Sequence, residues 1–416
     1  MFLVNIVFSV LYTIVQLTTL VIALYQFAMS VFGFRHRKDE INFEPVKRFA
    51  VIVPAHNEQR VVGPLIDSIK AQQYPGELYD IHVIADNCSD HTADVARNHG
   101  AIPHIRVDEE HHGKGYAIEW MIRQLAEYPV TYDAIVMFDA DNLVHPNFLR
   151  IMNDKLCSGH RVIQGYLGVK NPFDTWVSVS LAISYWYDNR MWQHARANIG
   201  LPCALGGTGL CIDSKLLQEM GWGATGLTED LEFGVRCVER DILPVWAHDA
   251  KVYDEKPTTI LASVRQRLRW QQGHFSCAKD HLMGLMKAGI REHNFKKFDM
   301  AIYLFQPMRA LVVFVMSLML FFFNLPFVDN VLALHVVQII PSNMWVVISA
   351  VLFLEMPFAM LLERINWRGY VGLILAPIFL WTWGPVTLQA YFTRRNRKWY
   401  HTVHRRAIRL DEVRNR

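Results

Sequence analysis

No Asp, Glu, Lys or Arg occurs between Met1 and Phe34, and Arg35, His36, Arg37 and Lys38 then follow at once. A bilayer core takes about 20 apolar residues as a helix, so this stretch can cross with tilt to spare. It has neither a basic leading region nor an A-x-A-like cleavage site, which reads as a retained anchor and not a removed signal. Its basic flank should stay in the cytoplasm, placing the N-terminus outside. The six cysteines (Cys88, Cys157, Cys203, Cys211, Cys237, Cys277) form no C-x-x-C pair and no Cys/His metal spacing. That excludes a zinc module and argues for single reduced thiols over a disulfide framework. Internal repeats and low-complexity runs are absent. Charge is scarce: 19% of 416 residues against 52% hydrophobic, for a net of +3. This is greasy for a purely soluble enzyme, and the charge is too small to suggest nucleic acid. The positive charge gathers at Arg35–Lys38 and Arg394–Arg416, beside apolar segments, as membrane topology asks.

From about Arg48 to Asp254 the pattern changes. Apolar runs Phe49–Val53, Ile81–Ala85, Ile135–Phe138 and Val162–Gln164 alternate with the helical patterns Gln59–Gln72, Asp90–His99 and Lys114–Ala126. Such alternation predicts an α/β domain, a mainly parallel sheet with helices on both faces. Ligands then bind beyond the carboxyl ends of the strands. Apolar segments return after about residue 300: Ala310–Val328 and Met344–Leu362 are long enough to span, and Gly369–Tyr391 has no charge over 23 residues. Val331–Ile340 is shorter and ambiguous. Three crossings after a cytosolic domain leave the basic tail outside; two or four keep it inside. Glu355 falls near the centre of one segment, where an ionisable group is costly. It lines a glycan path, pairs with Arg309, or is a protonated acid between helices. The chain thus divides into an anchor (1–34), a catalytic domain (48–258), amphipathic interface helices (259–306), a membrane region (307–391) and a basic cytosolic tail (392–416).

The chemistry begins at Phe138-Asp139-Ala140-Asp141, where an apolar strand delivers two carboxylates with one residue between them. Such a pair suits a hard divalent ion shared with a diphosphate, although acidic pairs at strand ends are also common solvated turn residues. Asp86 ends another strand, placed to bind a nucleoside, while Ser89 or Asp90 can cap the helix that follows. The first strand opens into Pro54-Ala55-His56-Asn57-Glu58, where Asn57 and Glu58 could read the edge of a base. Lys114 stands between Gly113 and Gly115, which let the backbone approach a ligand. In Thr228-Glu229-Asp230, Thr228 is a good N-cap, and Asp230 in the first helical turn is expected to have a lowered pKa. It would be ionised at neutral pH and able to take a proton from a sugar hydroxyl. The most specific segment is Arg265-Gln266-Arg267-Leu268-Arg269-Trp270: Arg269 can clamp a diphosphate and Trp270 can stack on a sugar ring. The same segment also reads as a basic amphipathic helix at the membrane interface.

In this order, Asp86, Asp139-x-Asp141, Thr228-Glu229-Asp230 and Gln266-x-x-Arg269-Trp270 resemble the family 2 processive β-glycosyltransferases, which include cellulose, chitin, hyaluronan and poly-N-acetylglucosamine synthases. The resemblance covers roughly residues 48–280. It implies a GT-A, Rossmann-like domain on the cytosolic face of a multi-pass plasma-membrane protein, a UDP-sugar donor, a glycan acceptor, and Mg²⁺ or Mn²⁺. Asp139 and Asp141 would hold the metal with the diphosphate. Ala55, Asn57, Glu58, Asp86, Lys114, Gln266 and Arg269 would bind the donor. Gly207, Thr208, Glu229 and Trp270 would bind the acceptor, and Asp230 would be the catalytic base. The stretch Lys398-Trp399-Tyr400-His401-Thr402, with Arg405 and Arg406, loosely resembles the cytosolic gating segment of related synthases. No domain follows the last apolar segment, so the cyclic-dinucleotide control of some cellulose synthases has no place to sit. The membrane region is small, which leaves secretion through this chain alone, or with partners, open. A non-processive transferase acting on a lipid carrier and an inactive nucleotide-binding scaffold or transporter component are the alternatives.

Overall fold

Burial on both faces turns the apolar runs into strands. The computed structural model describes residues 2–323, 340–396, 406–408 and 410–414. β1 (Phe49–Ala55) is buried along nearly its whole length and pairs in parallel with β2 (Tyr79–Asp86) and β4 (Ala134–Met137); β2 pairs in parallel with β3 (Ile102–Arg106). β7 (Leu210–Asp213) runs antiparallel to both β4 and β6 (Val162–Val169), β8 (Pro244–Asp254) runs parallel to β6, and the short β5 (Leu143–Val144) closes the edge. The eight strands lie in the order β3-β2-β1-β4-β7-β6-β8-β5. Helices α2 (Val62–Lys70), α3 (Thr92–Asn98) and α5 (Phe148–Cys157) pack on one face of the sheet. Helices α4 (Lys114–Ala126), α8 (Ser214–Met220) and α9 (Glu229–Glu239) pack on the other. This is the mostly parallel, two-faced α/β sheet expected, and all six cysteines are free thiols.

The membrane part rests on an element with no clear sequence signal. Helix α6 (Trp176–Tyr187) continues through a π-helical segment, Asp188–His194, into α7 (Ala195–Asn198). To this platform the long apolar helices attach: α1 (Phe2–Ser30), α11 (Phe295–Phe323), which follows α10 (Ile260–Arg291), and α12 (Ser342–Leu362). Arg196 and Tyr25 both bind the Asp299 carboxylate of α11. Tyr187 and Ser30 each donate to Glu355 of α12 at 3.0 Å. Arg190 donates to the Gly33 carbonyl at 2.7 Å and reaches Glu363 at 3.4 Å. Ile6–Phe34, Phe295–Met319 and Asn343–Leu362 are long and apolar enough to cross a membrane. Near its start α11 is tied by Asp299 to Arg196 of the platform, and just after α12 Glu363 is tied to His248 of β8.

Three membrane expectations change. Glu355 pairs with hydroxyls of α1 and α6, not with Arg309. The boundary at 306 is no break, because α11 runs unbroken through Pro307. Gly369–Tyr391 is not one straight span: Trp367–Ile374 and Ala376–Thr393 meet at a bend of 56°. A Cβ on Gly372 would clash with Val179, and one on Gly369 would clash with Ile365 and crowd Trp186 at 3.2 Å, so the end of α13 (Trp367–Val371) lies tight against the platform. Pro377, near the start of α14 (Ala376–Trp381), cannot donate a backbone bond across the bend. Helix α15 (Trp383–Thr393) then packs on α10, where Gln272 donates to Thr393. The gating-like residues 398–402 and 405 lie outside the described residues. Arg406 donates its N–H to Glu255 at 3.0 Å and pairs with Asp174 at 2.6 Å, placing this part of the tail on the catalytic domain.

Candidate active site

Parallel strands deliver their carboxyl ends to one edge of a sheet, and here several of them surround a cavity of about 230 Å³. At the end of β2, Asp86 faces its register partner Arg106, which donates to it at 2.5 Å. His56, just after β1, donates from Nδ1 to the Asp86 carbonyl at 2.8 Å. Ala55, Glu58 and Asp86 line the cavity. Asn57 does not: in the left-handed region (φ 56°), its Oδ1 accepts the Ser89 N–H at 2.8 Å and braces the loop after β2. Asp90 caps locally, accepting the Thr92 N–H at 3.0 Å.

Beyond β4, the Asp139 N–H is held by Asn142 Oδ1 and Thr208 Oγ1, each at 3.1 Å. Asp141 accepts from the Glu255 N–H at 2.8 Å and from Asn142 Nδ2 at 3.3 Å. Gln164 accepts the Gly206 N–H at 2.9 Å and donates to the Thr208 carbonyl at 2.8 Å, fixing the loop that carries Gly207 and Thr208. Lys114 opens α4 behind Gly113, whose φ of 121° suits glycine alone. Its ammonium binds Asp139, donates to the Gly207 carbonyl at 2.6 Å and lies 3.7 Å from Glu229. Burial opposes that charge, but Asp139 and Glu229 outweigh it and raise the lysine pKa.

At the start of α9 two expectations fail. Thr228 occupies the N-cap position but makes no capping bond. Asp230 has its pKa raised to about 7, not lowered. Burial is the main cause and the Glu229 carboxylate beside it adds to the effect; the Leu231 N–H and Lys114 pull the other way without prevailing. A helix start favours a carboxylate only modestly, so an enclosed wall with a like charge overrides it.

Helix α10 closes the cavity. Thr259 caps it, accepting the Ala262 N–H at 3.3 Å, and Gln266, Arg269 and Trp270 form one face turned to the cavity. Among the described residues Arg269 makes no ion pair, which leaves its guanidinium available to an anion. The residues assigned from the sequence to donor, acceptor, metal or base therefore all line this cavity, Asn57 excepted: Glu58, Asp86, Lys114, Asp139, Asp141, Thr208, Glu229, Asp230, Gln266, Arg269 and Trp270, with Ala55 and Gly207. His56, His112, Tyr185, Asp254 and Glu255 line it too and were missed. Asp254 was within reach of the same rule, since it ends β8; Tyr185, on the platform helix, carried no signal.

A hard divalent ion fits this donor set. Asp139, Asp141 and Asp254 offer only carboxylate oxygen, and Asp254 Oδ1 is buried without a hydrogen-bond partner among the described residues. No three acidic, histidine or cysteine side chains converge into a complete cage among the described residues. That matches ions held by one or two carboxylates and completed by substrate phosphates.

Residues 45–273 match the family model described as "Glycosyltransferase like family 2". A relative in Bacillus subtilis, "Probable glycosyltransferase YdaM", is 26% identical over 272 residues, covering 61% of this chain and 63% of its own length. A "Beta-monoglucosyldiacylglycerol synthase" of Trichormus variabilis is 24% identical over 271 residues, 61% of this chain and 54% of its own length. The matched stretch thus spans less than two thirds of either relative. The solved mannosyltransferase PcManGT from Pyrobaculum calidifontis superposes with a TM-score of 0.61 over 93% of this chain and 98% of its own, at 14% identity. It shares the fold.

Proposed function

The chain belongs to glycosyltransferase-like family 2, and from that premise we propose that it moves sugar from UDP-glucose or UDP-N-acetylglucosamine to a hydroxyl of a growing β-linked polysaccharide at the plasma membrane, with inversion and with Mg²⁺ or Mn²⁺. The observation that carries this reading is Asp230: a carboxyl whose proton affinity lies near neutrality shares one cavity wall with the Asp139–Asp141 pair and Trp270. A general base works best with a pKa near the operating pH.

In this reading Ala55, Glu58 and Asp86 hold the nucleoside, while Lys114, Gln266 and Arg269 receive the diphosphate. Gly207, Thr208, Glu229 and Trp270 seat the acceptor. Asp230 takes the proton from the acceptor hydroxyl as that oxygen bonds to the anomeric carbon. The bond to the diphosphate breaks on the opposite face, and an α-linked donor gives a β-linked product. A divalent ion on Asp139 and Asp141 would neutralise charge on the departing diphosphate. The solved PcManGT is a complex with GDP-Man and Mn2+, which supports this choice of donor class and ion. The basic flank Arg35–Lys38 supports a cytosolic catalytic domain.

A second reading, one sugar added to a lipid-linked acceptor, draws support from the name of the Trichormus relative. Membranes carrying the full chain, given each UDP-sugar, decide between them: UDP release with a ladder of long products supports the polysaccharide, and a single glycolipid supports the alternative. No UDP release with any donor would leave an inactive scaffold. Asp230→Asn should abolish transfer and leave donor binding largely intact; wild-type turnover in D230N would falsify the assignment of the base.

A further inference from the structure

A second cavity, of about 200 Å³, lies between the catalytic sheet and the loop that follows α12, and shares no lining residue with the first. Three cations line it, Lys170, Lys251 and Arg364. The one carboxylate there, Glu363, is already engaged by His248 at 3.0 Å and Arg190 at 3.4 Å. Lys251 rests its ammonium over the Tyr166 ring at 4.8 Å, and among the described residues neither it nor Arg364 has a carboxylate within ion-pair reach. Arg364 holds a left-handed backbone (φ 56°) at the rim; strained residues of this kind gather at ligand clamps. Lys170 is fully buried and donates to the Asp141 carbonyl at 3.0 Å, so it joins this cavity to the loop that follows β4.

The location supplies the other half of the argument. The loop stands directly after the apolar stretch Asn343–Leu362. Beyond it, Trp367 and Trp381 are 70% and 68% exposed, as side chains at a membrane–water interface are. An excess of cations at that depth faces lipid headgroups, whose phosphates attract them.

We propose that this cavity binds the phosphate headgroup of an anionic membrane lipid, with Lys251 and Arg364 as its main contacts and Lys170 at its inner wall. The proposal rests on the membrane reading of α12 but not on the transfer reaction, so its test reads binding alone. The full chain, in nanodiscs of phosphatidylcholine, would be titrated with dansyl-labelled phosphatidylglycerol and followed by energy transfer from tryptophan, Trp186 being in the cavity wall. Removing a cation near an anionic headgroup weakens binding about fivefold, so Arg364→Gln should cost about fivefold and Lys251→Gln/Arg364→Gln about 25-fold. Arg37→Gln/Lys38→Gln, which removes as much charge from the other basic flank, should stay within about twofold of wild type if the cavity rather than the general field is responsible. Arg364 is exposed, so the single variant keeps the test valid even if the double variant unfolds. Competition by millimolar inorganic phosphate would show that the site recognises the phosphate group itself; its absence, with the variant effects intact, would show that the whole lipid is needed. Equal affinity in all variants, or equal binding of a labelled phosphatidylcholine, would overturn the proposal.

Discussion

Gly273 lies so close to Thr228 that a Cβ on it would stand 2.4 Å from Thr228 Oγ1 and 2.5 Å from its Cγ2. The threonine Cβ would itself be at 2.9 Å, so no turn about χ1 opens the space. The glycine lets α10 carry Gln266, Arg269 and Trp270 up against the start of α9, where Glu229 and Asp230 stand. Gly273→Ala should push the two helices apart and cost about 1–3 kcal/mol of stability. Because positioning errors of about 1 Å are expensive in catalysis, sugar transfer should fall by about a hundredfold. Thermal unfolding and UDP release on the same preparation check both; a folded G273A with unaltered turnover would show that the helix separation is immaterial.

The proton affinity of Asp230 makes activity depend on pH in a stated direction. With a pKa near 7, the base form is lost as pH falls through neutrality, so kcat/KM should drop on the acid side below about 7. Glu229 raises this pKa and Lys114 lowers it. Glu229→Gln should therefore move the acid limb to lower pH, and Lys114→Met should move it to higher pH. Both limbs moving the same way would refute the electrostatic account, whatever the loss of overall rate.

What the sequence disclosed and what it hid follow from how local each feature is. β1, β2 and β4 are covered on both faces, so each appears as an unbroken apolar run, and Asp86 and Asp139 stand where those runs stop. β3 is an edge strand, largely half-exposed and containing Pro103, and had no such run to show. The platform from Trp176 to Asn198 is buried by the sheet on one side and by membrane helices on others, so it lacks the polar stripe that marks an amphipathic helix. Glu355 was legible as costly, but its partners Ser30 and Tyr187 stand far away in sequence. The Asp230 pKa was misjudged for the same reason: enclosure raises it, and Asp139, from the end of another strand, adds to the effect.

Arg196 and Asp299 form an ion pair in which both side chains are essentially inaccessible, joining the platform to α11. Removing one member of such a pair strands the other charge in a dry interior, which costs about 3–5 kcal/mol. Asp299→Ala should thus lower the unfolding midpoint sharply, and adding Arg196→Met should recover most of the loss. A double variant no more stable than D299A would show that the partners serve the fold separately.

Arg267 is the opposite case, a fully buried guanidinium with no carboxylate in ion-pair reach among the described residues. It lies between two rings, 4.4 Å from the centroid of Phe379 and 5.0 Å from that of Trp383, and donates to Thr382 Oγ1 at 2.9 Å. Burial lowers its pKa to about 10, yet it remains charged at neutral pH. What holds it is the fit of a flat, weakly hydrated cation between aromatic faces, an interaction of about 2 kcal/mol when desolvated. Lysine keeps the charge but concentrates it on a strongly hydrated ammonium that cannot lie flat; methionine gives up the charge yet still packs against both rings. Arg267→Lys should therefore be the more damaging change, about 2 kcal/mol less stable than wild type, with Arg267→Met within about 1 kcal/mol of it. Unfolding of the three proteins in the same nanodiscs ranks them. If lysine instead preserves stability and methionine destroys it, charge alone and not planarity joins α10 to the bent membrane pair.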